Sequence, residues 1–159
     1  MVSFEFTVAG ETQVNRMLSR TTDKLDDLRP FLDGVADLLL AVMADQFDSG
    51  GGRSASWEPL SPRYAAQKRA KWGQRPLLVA SGEMRESLTQ RGGRHIERRP
   101  LADVLEFGSR VPYAIYHQMG TQRMPQRKIL DLVDRDRRAI MKLLQRYLFT
   151  GRSGGRIRV

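Results

Sequence analysis

Cysteine is absent from the 159 residues, which excludes disulfides, thiolate metal sites and a cysteine nucleophile. Histidine occurs only at His95 and His117, and neither sits in a paired metal-binding spacing such as H-E-x-x-H. The longest apolar run, Leu38 to Met43, is far too short to span a bilayer. Met1 to Phe6 show neither the basic start nor the apolar stretch of a signal peptide, so a soluble chain folded in cytoplasm is expected, with no membrane partner. Ser81-Gly82 lacks the G-x-S-x-G elbow, and the glycines at 50–52 lack the lysine of a phosphate-binding loop. No internal repeat is present. No catalytic residue, metal site or cofactor site is therefore expected, and the chain reads as a non-enzyme.

Charge is abundant but unevenly placed. The formal net charge is +9, while residues 1–52 hold nine acidic and four basic side chains. Residues 53–99 hold eleven basic and four acidic, and residues 123–159 eleven basic and three acidic. Two physical readings follow. The basic surface can face nucleic acid, or the acidic third of one subunit can meet the basic part of the next in a head-to-tail ring. An unevenly charged, solvated surface is the plain alternative.

Periodicity outlines an α+β domain. Phe4, Phe6 and Val8 alternate with polar residues, as in a half-buried strand ended by Gly10. Val14, Met17, Leu18, Thr21 and Leu25 recur at helical spacing, with Thr12 as cap. A second helix begins near Pro30 and carries an apolar stripe from Phe31 through Leu32, Val35, Leu38, Leu39, Val42 and Met43 to Phe47. It stops before Gly50-Gly51-Gly52. Residues 50–75 form a long connection, with a short helix near 63–71 and two tryptophans, Trp57 and Trp72, that argue against full disorder. Ser81 to Thr89 reads as a short helix capped by Ser81. His95–Arg99 and Asp103–Phe107 read as a hairpin with Pro100 between them, and Pro112–His117 as a turn and short helix. A final helix covers Asp134 to Phe149, with Ile140, Leu143, Leu144, Tyr147 and Leu148 inward. Residues 151–159 are a basic tail expected to be mobile. The whole is expected as one domain over 1–159. Three to four antiparallel strands would be packed by a long N-terminal helical pair and a C-terminal helix.

Basic residues gather in two places. Lys68, Arg69, Lys71 and Arg75 surround Trp72, and Arg135, Arg137, Arg138, Lys142 and Arg146 line the last helix, with Arg152 and Arg156 in the tail. No DNA-reading motif accompanies them, so any DNA contact is expected to lack sequence preference. Asp134 and Asp136 are explained by solvation or the helix dipole.

Four segments occur in a known order. They are Trp57-Glu58-Pro59-Leu60-Ser61-Pro62-Arg63-Tyr64, Leu77 to Leu88 with Ser81-Gly82-Glu83-Met84-Arg85, Phe107 to Gly120 with Pro112-Tyr113-Ala114-Ile115-Tyr116-His117-Gln118-Met119-Gly120, and Met124 to Leu130. The order resembles the phage virion morphogenesis family, the tail completion proteins of Mu-type phages and prophages, over roughly residues 57–148. Gln126 stands where a small residue is common in that group, and Ile129 where an aromatic is frequent.

The resemblance implies a structural subunit that forms a ring, commonly sixfold, at the neck or head-proximal end of a phage tail. Such a subunit is assembled in the host cytoplasm. Its partners would be further copies of itself and a tail terminator, tube or head-completion protein, with DNA passing the lumen. A basic DNA-binding module is the alternative.

Trp57, Pro59, Leu60, Tyr64, Tyr113, His117, Gly120, Pro125 and Arg127 are the candidate interface residues. Trp57 with Pro59 and Leu60 forms a stiff apolar segment that anchors the long loop on its own core or on a neighbour. Gly120 can take the positive φ of a sharp turn. Arg127 is either a salt-bridge partner within the fold or an interface anchor.

Overall fold

The computed structural model describes residue 19 and residues 22–151. The expected strand at residues 4–8 and most of the first expected helix lie outside these residues, as do Arg152 and Arg156. Residues 22–26 are helical, and Leu25 on that segment is about half exposed rather than on a buried stripe.

Helix α1 (Arg29–Asp48) organises the core. Pro30 occupies its first turn, where a missing N–H is harmless. All eight apolar positions of its stripe are buried, with Val42 and Met43 essentially inaccessible. Each contributes about 1.5–3 kcal/mol of burial free energy, which makes α1 the element the others pack on. Helix α2 (Pro62–Trp72) starts at Ser61, whose hydroxyl accepts from the Tyr64 amide. Helix α3 (Glu83–Thr89) is capped by Gly82, not by Ser81 as expected; the Ser81 hydroxyl sits one residue early and reaches the Glu83 amide at 3.4 Å.

Strands β1 (Ile96–Pro100) and β2 (Leu105–Ser109) form an antiparallel hairpin with Arg98 opposite Phe107. The expected strands therefore shift one and two residues toward the C-terminus. Pro100 ends β1 opposite Leu105, a terminal place where its lack of a donor costs nothing, and the Leu101 amide closes the loop onto Val104 at 2.8 Å. Among the described residues the sheet has two strands, fewer than the three to four expected. An isolated hairpin is marginal in water, and this one is backed by α1 and α3.

Helix α4 (Ala114–Met119) follows, then an extended segment, then helix α5 (Asp134–Thr150). Leu143 and Tyr147 are buried against α1, with Ile140, Leu144 and Leu148 partly buried beside them. The Tyr147 ring stacks on Phe31, and its hydroxyl donates to the Asp27 carbonyl at 2.8 Å.

Candidate functional site

The long connection after α1 is held by three buried groups. The Trp57 indole is 6% exposed, meets Phe47 edge-on at 5.6 Å, and donates from Nε1 to the Lys128 carbonyl at 2.9 Å. Gly51, at φ +88°, lies directly beneath it; a Cβ there would stand 2.5 Å from the indole Cδ1. Trp57 is thus a core anchor of its own chain, the first of the two roles weighed for it. Gly51 is a packing requirement rather than a flexible spacer.

Arg127 is also buried. Its Nε and Nη2 donate to the carbonyls of Glu58 (2.8 Å) and Pro59 (3.0 Å). Among the described residues it makes no salt bridge, because backbone carbonyls take up its guanidinium. Arg127 and Lys128 therefore clip the Trp57–Pro59 segment in place, while Pro59 itself remains exposed.

The third group was not legible in sequence. Asp136 is fully buried and bridges the Arg53 guanidinium, whose other end meets Asp45. Burial disfavours the Arg53 charge, but hydrogen bonds to Asp136 and Asp45 outweigh it and raise its pKa. The second Asp136 oxygen accepts from the Val133 amide at 3.0 Å, back-bonding from the third helix position as in a capping box. That position is the only local signal for Asp136. Its burial corrects the expected solvated role, while its place in the first turn of α5 agrees with the helix-dipole role.

Helix α4 is tied down from its C-terminal side. Gly120 takes φ +73°, as expected, and a Cβ there would approach the Gln126 amide nitrogen to 2.9 Å. The Arg127 amide donates to the His117 carbonyl, and Gln118, overlooked in sequence, accepts from the amides of Ile129 and Leu130 at 2.9 Å each. Pro125 is part of this supporting turn and only half-buried. Burial first, and then the Arg127 charge, hold the His117 imidazole below its ordinary value, so the ring is neutral at pH 7.

These ties shape a groove of about 720 Å³ between α2, residues 78–84 and α4. It brings together four candidate interface residues, Leu60, Tyr64, Tyr113 and His117, and adds Trp72 and Tyr116. Tyr64 and Tyr116 are more than half exposed, and Met119, at the end of α4 outside the groove lining, is 68% exposed. Trp57, Pro59, Gly120, Pro125 and Arg127 do not line it; they hold the segments that do. On the α2 side stands Lys68, the one buried residue of that helix. Its ammonium donates to the carbonyls of Arg75 (3.3 Å) and Pro76, and burial lowers its pKa.

Part of the charge asymmetry of the sequence is met inside the subunit. Asp33 and Asp37 hold Arg91 and Arg98, Asp45 holds Arg53 and Arg135, Asp48 holds Arg85, and Asp27 holds Arg29. The acidic residues of α1 are therefore partners of the chain's own basic residues. On α5, Arg135 and Arg137 pair with Asp45 and Asp134. Arg138 and Lys142 are exposed and Arg146 half-buried, without ion pairs among the described residues.

His95 pairs with Glu83 at 2.8 Å on the surface, apart from His117, which meets the Tyr113 ring edge-on. Among the described residues no cluster of three or more His, Asp or Glu is placed to hold a metal ion, and no helix is long and apolar enough to cross a membrane.

Residues 10–149 match the phage virion morphogenesis family. Comparison with curated proteins and with solved structures found no match.

Proposed function

The chain belongs to the phage virion morphogenesis family, and from that premise we propose that it is a ring-forming structural subunit of the neck. In this reading it completes the head-proximal end of the tail and joins the tail to the filled head. The observation that carries the proposal is the family match, which takes in every helix and strand described above but for the last residue of α5.

The groove supports an assembly role. Aromatic side chains exposed together on a monomer favour a surface that another protein covers. The turn around Gly120 and the clip from Arg127 hold α4 rigid, so the surface is organised before contact. Copies of itself and a terminator, tube or head-completion protein are the proposed neighbours, with DNA crossing the lumen. Arg138, Lys142 and Arg146 are the residues of α5 left to face that DNA without sequence preference.

The alternative, an independent DNA-binding module, loses ground because Arg135 and Arg137 are already paired within the subunit. Deleting the gene from the producing phage tests the proposal. Filled heads and full-length tails that accumulate separately are the expected result. Normal numbers of infectious virions would overturn it.

A further inference from the structure

Helix α2 is unusual in what it buries. Of its eleven residues only Lys68 is buried, so no apolar face holds the helix to the body. Between Pro62 and Pro76 there are five basic side chains and no acidic one. Among the described residues none of the five has a carboxylate partner, whereas the arginines facing α1 nearly all do. Lys68 has three N–H donors and two carbonyl acceptors, which leaves one donor at the groove wall. The Lys71 ammonium lies 5.2 Å from the Trp72 ring, at the groove's edge. The α2 side of the groove is therefore cationic, with Lys68 on the lining and Arg69 and Lys71 flanking it, while the lining carboxylate, Glu83, belongs to the 78–84 side and already pairs with His95.

We infer that this groove is the docking site for an acidic, apolar-anchored segment of a different virion protein. Apolar side chains of that segment fill the space between Tyr64, Trp72 and Tyr116, while its carboxylates meet Lys68 on the lining and Arg69 and Lys71 on the flanking surface of α2. Charge complementarity selects this occupant. The acidic α1 region of a second copy is a poor candidate, since Asp27, Asp33, Asp37, Asp45 and Asp48 already hold arginines of their own subunit. Duplex DNA would satisfy the cations, but its phosphate surface has no side chain with which to fill a concave site of about 720 Å³. The anchors-in-groove mode needs both features at once.

This inference rests on the reading of the chain as an assembly part. The test replaces Tyr64 with the photo-crosslinking residue p-benzoylphenylalanine in the full chain, in cells producing the phage, and identifies the crosslinked product by mass spectrometry. Trp72 carries the probe if the Tyr64 variant fails to fold. The expected product is one other virion protein, joined through a segment with at least two carboxylates. Arg69→Glu with Lys71→Glu should lower its yield at least about tenfold, with the thermal melt unchanged. Crosslinks to DNA or to a second copy, a neutral or basic segment, or no product would each overturn the inference. Virions that assemble and carry the chain in those cases would leave the assembly reading standing; particles lacking the chain would count against that reading instead.

Discussion

Replacing Arg53 by Met removes the one charge that, among the described residues, pairs with a carboxylate solvent does not reach. Asp136 is 0% exposed, and without Arg53 its remaining hydrogen bond is the Val133 amide. Asp45 is half exposed and keeps Arg135 at 3.0 Å, so its loss is minor. The magnitude is thus set by Asp136 alone: stranding one member of a buried pair costs about 3–5 kcal/mol. For a chain of this length each kcal/mol lowers the melting temperature by about 2–4 °C, which predicts a fall on the order of 10 °C.

The double variant Arg53→Met with Asp136→Leu separates a stranded charge from a lost contact. Replacing both partners by apolar groups should return about half or more of the loss. The remainder reflects the vacated Val133 amide. Urea unfolding of the four proteins gives a coupling energy expected to exceed about 1 kcal/mol. An Arg53→Met loss below about 1 kcal/mol, or additive single effects, would refute the argument that this ion pair locks the loop to α5.

Gly51→Ala combines a left-handed φ with a Cβ inside the Trp57 ring, so a loss of about 2–4 kcal/mol and a red-shifted tryptophan emission are expected; a melt like the parent's would contradict this. The neutral His117 ring gives a pH dependence. Because the folded pKa is depressed, the unfolded chain takes up a proton first as pH falls through about 6.5, and stability declines from there. His117→Asn should flatten the urea midpoint between pH 7.5 and 5.5, and an unchanged slope would count against the assignment. Tyr116→Ser removes an exposed groove residue, so stability should stay within about 0.5 kcal/mol while head–tail joining in complementation falls sharply. Full complementation by that variant would detach the groove from assembly.

Local patterns carried most of the fold. Helix α1 was legible because eight apolar residues share one stripe, and α5 because its apolar residues recur at the same period. The hairpin was legible as a hairpin, but its ends were not, since Pro100 tolerates a strand terminus and Gly108-Ser109 continue the ladder.

The site was legible only in part, for a reason of distance. Tyr64, Tyr113 and His117 stood out as aromatic or polar residues in recognisable segments, and the fold brings them to one groove. Trp57 stood out as a large apolar residue in a polar loop, and it is buried there. Asp136 and Arg127 did not reveal their roles, because their partners lie 83 and about 69 residues away and nothing near them in sequence signals burial. The charge asymmetry was visible, but only the folded pairs reveal that the acidic residues of α1 neutralise arginines of the same subunit.

A cryo-EM reconstruction of the virion neck tests the central claim most directly. The account predicts a ring of this chain between the head and the tail tube, with the groove around Tyr64 and Tyr116 covered by a neighbouring protein. A neck without the chain, or a ring that leaves the groove open to solvent, would contradict it.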